Sequence, residues 1–337
     1  MTPTRVIDTQ RLSTLANAYQ RDMLRFLRDL VAIPSPSGQE GAAIQRIRSE
    51  MEKAGFDEIR VDPMGNILGR IGSGRKVVMM DAHADTAGAG DPIESKVEDG
   101  YVYGRGACHQ RAGIVSLVYA GKLIQELGMY ENFTLWVVGS VQKLACEGLS
   151  WLYILKEDGI RPDCVVITQP TSLRIHRGHP GRMEMAVGGG NALQRPLAGV
   201  AGETRESALA EAQAVPGMEG LEVGIAKYDE PSYTGLRYPM EKYFPAWALE
   251  ETHPLTESAI ATYEALFELP PMIGKWAAGT NGVGTMGLMG VPTIGFGPGE
   301  AGLPTGDGER VSIRHLVKAA QFYAAFPLTY VNTVTRR

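Results

Sequence analysis

Cysteine is scarce in this sequence: Cys108, Cys146 and Cys164 are the only three in 337 residues. They cannot all pair with one another, and none forms a Cys-x-x-Cys spacing. A disulfide framework is therefore excluded and a reducing cytosol fits. Positive charge is not in excess either. Lys and Arg number 33 against 38 Asp and Glu, a formal net charge of -5, so no basic surface argues for nucleic acid. The N-terminus lacks an apolar stretch long enough for a secretory signal or a membrane span. The expectation is a soluble, cytoplasmic protein with no membrane association. There is no internal repeat, low-complexity run or coiled coil. What remains is an ordinary globular composition at a length that suits one large or two modest domains. Its 41 glycines suggest tight loops around a sheet.

Taken in order, residues 12–31 carry leucines and Phe26 at helical spacing and predict a helix, broken by Ile33-Pro-Ser-Pro. A second helix is expected from Glu40 to Ala54, stopping at Gly55. Ile59 to Val61 and Asn66 to Ile71 predict strands joined by an Asp62-Pro-Met-Gly65 turn. Val77 to Met80 is a short apolar run that predicts a buried strand of a mostly parallel sheet. A loop at Gly104-Arg-Gly-Ala107 precedes a helix over 112–127. A strand over 133–138, a helix over 148–157 and a strand over 163–168 follow. This alternation predicts an α/β domain with helices on both faces of the sheet. After Arg182 the pattern changes. Strands are expected at 183–187, 221–227 and 293–296, and helices at 203–214, 254–267 and 311–326. Trp136, Trp151 and Trp276 are expected in the core.

The Val77 strand ends in Asp81, His83 and Asp85. Ligands of open α/β sheets sit at the carboxyl ends of strands. Side chains two residues apart share a face there. A His-x-Asp pair in that place is half of a metal site, the imidazole binding the ion and the carboxylate orienting the ring. Taken alone, the motif equally describes a strand that ends in polar residues.

Several loops together are more specific. Ile33-Pro-Ser-Pro-Ser-Gly-Gln-Glu40, Asp81-Ala-His-Ala-Asp85, Gly104-Arg-Gly106 before a helix and Gln169-Pro-Thr171, in this order, resemble the co-catalytic zinc exopeptidases. That family contains aminoacylases, acetylornithine and succinyl-diaminopimelate deacylases and glutamate carboxypeptidases. The resemblance runs over residues 20–185 and 202–327. It implies a three-layer α/β sandwich with a mostly parallel central sheet, formed by 1–184 and 270–337. It also implies a lid and dimerisation domain, here reduced to 185–269. The activity implied is two-zinc hydrolysis of an amide, in which a metal-activated water attacks a carbonyl polarised by the second ion.

Carried over residue by residue, most of that site is missing. His83 matches the first ligand and Asp85 its orienting neighbour. The bridging carboxylate falls on His109, the base and ligand pair on Lys143 and Leu144, and the next carboxylate on Gln169. The last histidine falls near Thr305, with no His between Gly299 and Val311. Two divalent ions need several anionic ligands, so the resemblance is to a member without its two-metal site. No cofactor is expected, unless one zinc ion is kept on His83, His109 and Gln169 or Cys108. The lid is also short. Gly188-Gly-Gly-Asn leads almost directly to Gly202-Glu-Thr-Arg, with several tens of residues and a lid histidine absent. The exposed sheet edge so left would take a partner, as a homo-oligomer or with a related subunit.

Lys143 reads as a base in a desolvated cleft or as a drifted, salt-bridged lysine. His109 reads as an acid–base group or as a polar replacement. Cys108 and Cys146 flank the site, and buried cysteine is ordinarily a small hydrophobe. Arg174, His176, Arg177, His179 and Arg182 form a basic cluster suited to an anion. Asn281 offers amides to an anionic ligand or caps a helix. The expected function is a metallopeptidase-like protein that has lost two-zinc hydrolysis. It would bind a small carboxylate-bearing amino-acid derivative, as a partner subunit or as a metal-independent acid–base enzyme using Lys143, His109, His83 and Asp85, in amino-acid or specialised biosynthesis. The alternative is a single-metal amidase or dipeptidase acting on peptides or N-acyl amino acids.

Overall fold

The structure is a computed structural model that describes residues 7–88, 94–187, 191–196, 204–214, 221–303 and 308–335. The chain opens with α1 (Thr9–Ala18), α2 (Gln20–Val31) and α3 (Gly41–Ala54). The strands β1 (Glu58–Val61), β2 (Ile67–Ile71), β3 (Lys76–His83), β4 (Lys96–Glu98) and β5 (Tyr101–Tyr103) come next. Then follow α4 (Ala112–Leu127), β6 (Phe133–Ser140), α5 (Leu149–Lys156), β7 (Cys164–Ile167), β8 (Ile175–His176) and β9 (Gly178–His179). The smaller region has β10 (Arg182–Val187), β11 (Asn191–Pro196), α6 (Arg205–Gln213), β12 (Val223–Ile225), β13 (Lys227–Tyr228), β14 (Met240–Glu241), β15 (Tyr243–Phe244) and β16 (Trp247–Ala248). Last come α7 (Pro254–Phe267), β17 (Ile273–Gly274), β18 (Thr293–Gly295), β19 (Arg310–Ser312) and α8 (Ile313–Thr335).

The central sheet has the order β1-β2-β6-β3-β7-β18-β8-β17. Its middle, β6-β3-β7-β18, is parallel, and the β1–β2 hairpin joins antiparallel at one side. Period two sorts the side chains. Val78, Met80 and Ala82 of β3, with Leu135 and Val137 of β6 and Val166 of β7, enter the core under α2, α3, α4 and α8. Met79, Val138, Val165 and Ile167 face the other way, onto Trp151 and Ile154 of α5 and onto Trp247 and Trp276. These are the two faces of a three-layer α/β sandwich, as the sequence predicts. Helix α4 has apolar or small residues almost all round and is buried over nearly its whole length, as a helix between other helices must be. Gly128 ends it at φ 60, its amide and that of Met129 reaching back to the carbonyls of Gln125 and Ile124.

Three expectations need correction. The helix expected over 12–31 is two helices, because Tyr19 turns aside to bond Glu126 and pack on Tyr119 of α4. The last helix does not stop at Phe326. It runs through Pro327 to Thr335, and Leu328 and Tyr330 beyond the proline are buried in the core. Packing there outweighs the hydrogen bond that proline lacks. Third, β4, β5 and β19 form a small sheet with no counterpart in the sequence reading.

Within 185–269, β10 pairs with β11, β12 and β15, while α7 packs against α8 and belongs with the core layer. The expected break at Gly188-Gly-Gly190 lies outside the described residues. Among the described residues no helix is long and apolar enough to cross a membrane.

Candidate active site

The carboxyl ends of the parallel strands converge, because β3 and β6 are in register with His83 opposite Ser140, and Asp81 lies opposite Ile167 of β7. This edge receives the turns after each strand: Asp85 after β3, Lys143 and Glu147 after β6, and Gln169 after β7.

His83 is buried, its Nδ1 lying 2.9 Å from the Asp85 carbonyl oxygen and 3.1 Å from Asp85 Oδ1. With Nδ1 donating to Asp85, the lone pair is on Nε2, which has no hydrogen-bond partner. Asp85 is fixed in turn by Ser37 Oγ at 2.6 Å and the Leu144 amide at 2.7 Å. Burial pushes its pKa up, but those donors and His83 outweigh burial and hold it below the usual carboxylate range. Ser37 therefore explains part of the 33–40 motif. Behind it, Glu40 accepts from the amides of Gly38 and Gln142, yet burial and then the Asp85 charge push its pKa up to about 7.

His109 stands in an irregular turn, followed by a cis peptide to Gln110. Its ring centroid is 6.4 Å from that of His83, and its Nδ1 has no partner. Burial, then His83 and Lys143, push its pKa down to about 3, so the ring is neutral at cellular pH. What holds this turn was not legible in the sequence. Glu309 sends one carboxylate oxygen to the Cys108 and His109 amides, at 2.9 and 2.5 Å, and the other to the Gly106 amide at 2.9 Å. The partners are about 200 residues apart, and β19 pairing with β5 brings them together. Arg111 completes the loop by donating to the Leu30 and Ile33 carbonyls and to Ser35 Oγ.

The remaining predicted residues are more engaged than expected. Lys143 donates from Nζ to the Gly279 carbonyl at 3.1 Å and faces Glu147 Oε1 at 3.7 Å. Both partners are oxygen acceptors for its N–H donors. Gln169 donates from Nε2 to the same Gly279 carbonyl at 3.3 Å and leaves Oε1 without a partner. Asn281 is fully used inside the protein. Its Nδ2 donates to Asp81 and to Ser140, each at 2.9 Å, and its Oδ1 accepts from the Gly148 amide at 3.1 Å. It cross-links the strand ends. Burial pushes the Asp81 pKa up, against the donors around it.

The two histidines of the basic cluster are the residues that burial discharges, while its three arginines keep their charge. His179 donates from Nδ1 to the Pro180 carbonyl and accepts the Thr280 amide at Nε2, and burial lowers its pKa. Burial and Arg174 push His176 down to about 4. Arg177 is held by the Leu249 carbonyl and Glu251. Arg182 faces Glu184 and Glu147 and lies over the Phe244 ring. Cys108 is buried beside Glu300 and Gly299, and burial raises its thiol, like that of Cys146, to about 12.

Two divalent ions do not fit these residues. Among the described residues no three His, Cys, Asp or Glu side chains converge to hold a metal, and Asp85 is already engaged. One ion would draw on three buried atoms without a hydrogen-bond partner: His83 Nε2, His109 Nδ1 and Gln169 Oε1.

Comparison with known proteins adds sequence and fold relationships. The model of peptidase family M20/M25/M40 matches residues 79–329. The uncharacterized protein YgeY of Escherichia coli K12 is 40% identical over 389 aligned positions, covering 94% of this chain and 96% of YgeY. The 389 positions exceed the 337 residues of the chain, so at least 52 are occupied in YgeY alone. The succinyl-diaminopimelate desuccinylase of Gluconacetobacter diazotrophicus is 30% identical over 168 residues, 44% of this chain and 43% of that protein. Among solved structures, aminopeptidase PepT from Bacillus cereus superposes with a TM-score of 0.71 at 15% identity, over 93% of this chain and 99% of PepT. Human carnosine dipeptidase 1 gives 0.70 at 14% identity, over 98% and 100%. At those identities the structures speak for the fold.

Proposed function

The chain belongs to peptidase family M20/M25/M40, and on that premise we propose that it hydrolyses an amide bond of a small peptide or N-acyl amino acid, with one metal ion where the resemblance implies two. The observation that carries this is the set of three buried atoms without a hydrogen-bond partner, His83 Nε2, His109 Nδ1 and Gln169 Oε1. Each unmade hydrogen bond costs about 1–3 kcal/mol in a buried place, so a function for all three together is the economical account.

His83, His109 and Gln169 would hold the ion, which when bound polarises the amide carbonyl. Asp85 keeps the His83 tautomer with Nε2 toward the ion. Glu309 holds the backbone that presents His109. Gly279 orients Gln169 with its amide oxygen free. Lys143 supplies N–H donors at the edge of the cleft. A metal-independent acid–base enzyme has less support: His109 at about 3 stays neutral and is no proton donor, and Lys143 is engaged.

The test is elemental analysis of protein purified without chelators, together with hydrolysis of dipeptides and N-acyl amino acids. One ion per chain is expected, with kcat/KM falling roughly 100-fold or more in His83→Ala and His109→Ala. Two ions per chain would overturn the single-ion site. A second reading, a non-catalytic subunit that only binds such a molecule, is favoured by Lys143 and Leu144 standing where the resemblance implies a carboxylate pair. Protein without metal and without turnover would select it.

A further inference from the structure

Lys143, Glu147, Arg182, Glu184 and Lys242 form one run of alternating charge from the strand ends to β10 and its neighbour. The outer links are short. Lys242 Nζ donates to Glu184 Oε2 at 2.8 Å, and Arg182 donates to the other Glu184 oxygen. The inner links are long. Arg182 Nε lies 3.4 Å from Glu147 Oε2, and Lys143 Nζ 3.7 Å from Glu147 Oε1. Glu147 Oε2 makes no hydrogen bond. Lys143 uses one of its three donors, on the Gly279 carbonyl. Three cations face two carboxylates, and the loose end is the one beside Gln169, which shares the Gly279 carbonyl with Lys143. Lys143 and Glu147 are 6% and 7% exposed, a setting in which an underused charge is costly.

We propose that Lys143, with Arg182 behind it, is the anchor for a carboxylate of the bound molecule, and that Glu147 is a built-in competitor for that place. A ligand carboxylate brings the third anion. It takes the unused Lys143 donors at hydrogen-bond distance, and Glu147 settles on Arg182. Glu147 itself shows which chemistry the position accepts. This rests on the reading that the cleft takes a small amino-acid derivative, and it names the group by which that molecule is held.

The full-length chain, dialysed against chelator, is titrated calorimetrically with N-acetylglycine and with N-acetylglycinamide. The wild type is expected to bind the carboxylate at least tenfold tighter than the amide. Lys143→Met removes that preference, Lys143→Arg restores part of it, and Glu147→Gln tightens the carboxylate several-fold without changing the amide. An ion pair that only supports the fold would not move the two substitutions in opposite directions. Should Lys143→Met fail to fold, Lys143→Arg and Glu147→Gln still decide. The proposal is overturned if the wild type binds both compounds alike or neither, if Lys143→Met keeps the preference, or if Glu147→Gln weakens it. Because no metal is present, failure here leaves the single-ion hydrolase to be judged by its own metal content and turnover.

Discussion

Glu309 is the residue on which the His109 turn depends, since its two oxygens serve three backbone amides. Hydrogen bonds to a charged acceptor contribute about 1.5–3 kcal/mol each. Glu309→Gln keeps the shape and loses the charge. It should cost about 2 kcal/mol or more in denaturant unfolding and lower metal affinity roughly tenfold by loosening His109. An unchanged affinity with lowered stability would confine Glu309 to the fold. Glu40 gives a pH dependence of definite sign. Its pKa rises from an ordinary 4.5 to about 7 through burial and the Asp85 charge. Between those values the folded protein keeps a proton that the unfolded chain releases. Stability is therefore full below about pH 4.5 and falls as pH rises through 7, by an amount on the order of 3 kcal/mol. Unfolding free energies measured from pH 4.5 to 7.5 should fall in the wild type and stay flatter in Glu40→Gln.

At the scale of elements, periodicity and caps place α3, α4 and α7 to within a residue, because their boundaries are local: Gly55 and Gly128 stop two of them, and Pro254 starts the third. Where a boundary depends on another element, sequence reading fails, as at Tyr19 and Pro327. Gly113 in α4 shows how packing overrides propensity. Alanine there gains about 1 kcal/mol of helix propensity, but its Cβ would lie 2.1 Å from Thr168 Oγ1 and 2.9 Å from Thr168 Cβ. Overpacking of this kind costs about 1–3 kcal/mol or more, so Gly113→Ala should lower the melting temperature rather than raise it. It also presses on the residue before Gln169, and activity should fall with stability.

For the whole molecule, the loops at the strand ends are tied to one another by hydrogen bonds within the chain: Ser37 and Leu144 to Asp85, Arg111 to the 30–35 turn, Glu309 to the His109 turn. Chelation should therefore abolish hydrolysis while leaving the far-ultraviolet circular dichroism spectrum unchanged. The melting temperature should move by no more than the mass-action contribution of the lost ion. A collapse of the fold on chelation would mean that the metal has a structural place. The residues 185–269 divide at this scale. The sheet around β10 is made of β10, β11, β12 and β15, and α7 packs against α8. We propose that an edge of that sheet takes a partner, as a homo-oligomer or with a related subunit, which sedimentation at several concentrations would reveal as a concentration-dependent mass.

By itself the sequence determined the parallel sheet and its two helical layers. Each of these follows from residue type and short-range spacing, which the chain carries locally. Tertiary structure alone decided which side chains are free. Asn281 and His179 are occupied by partners about 100 to 200 residues away. Glu309 enters from the far end of the chain, and Lys143 meets the Gly279 carbonyl rather than bulk water. Those pairings exist because buried polar groups must find partners when the core closes, and no local pattern records which ones they find.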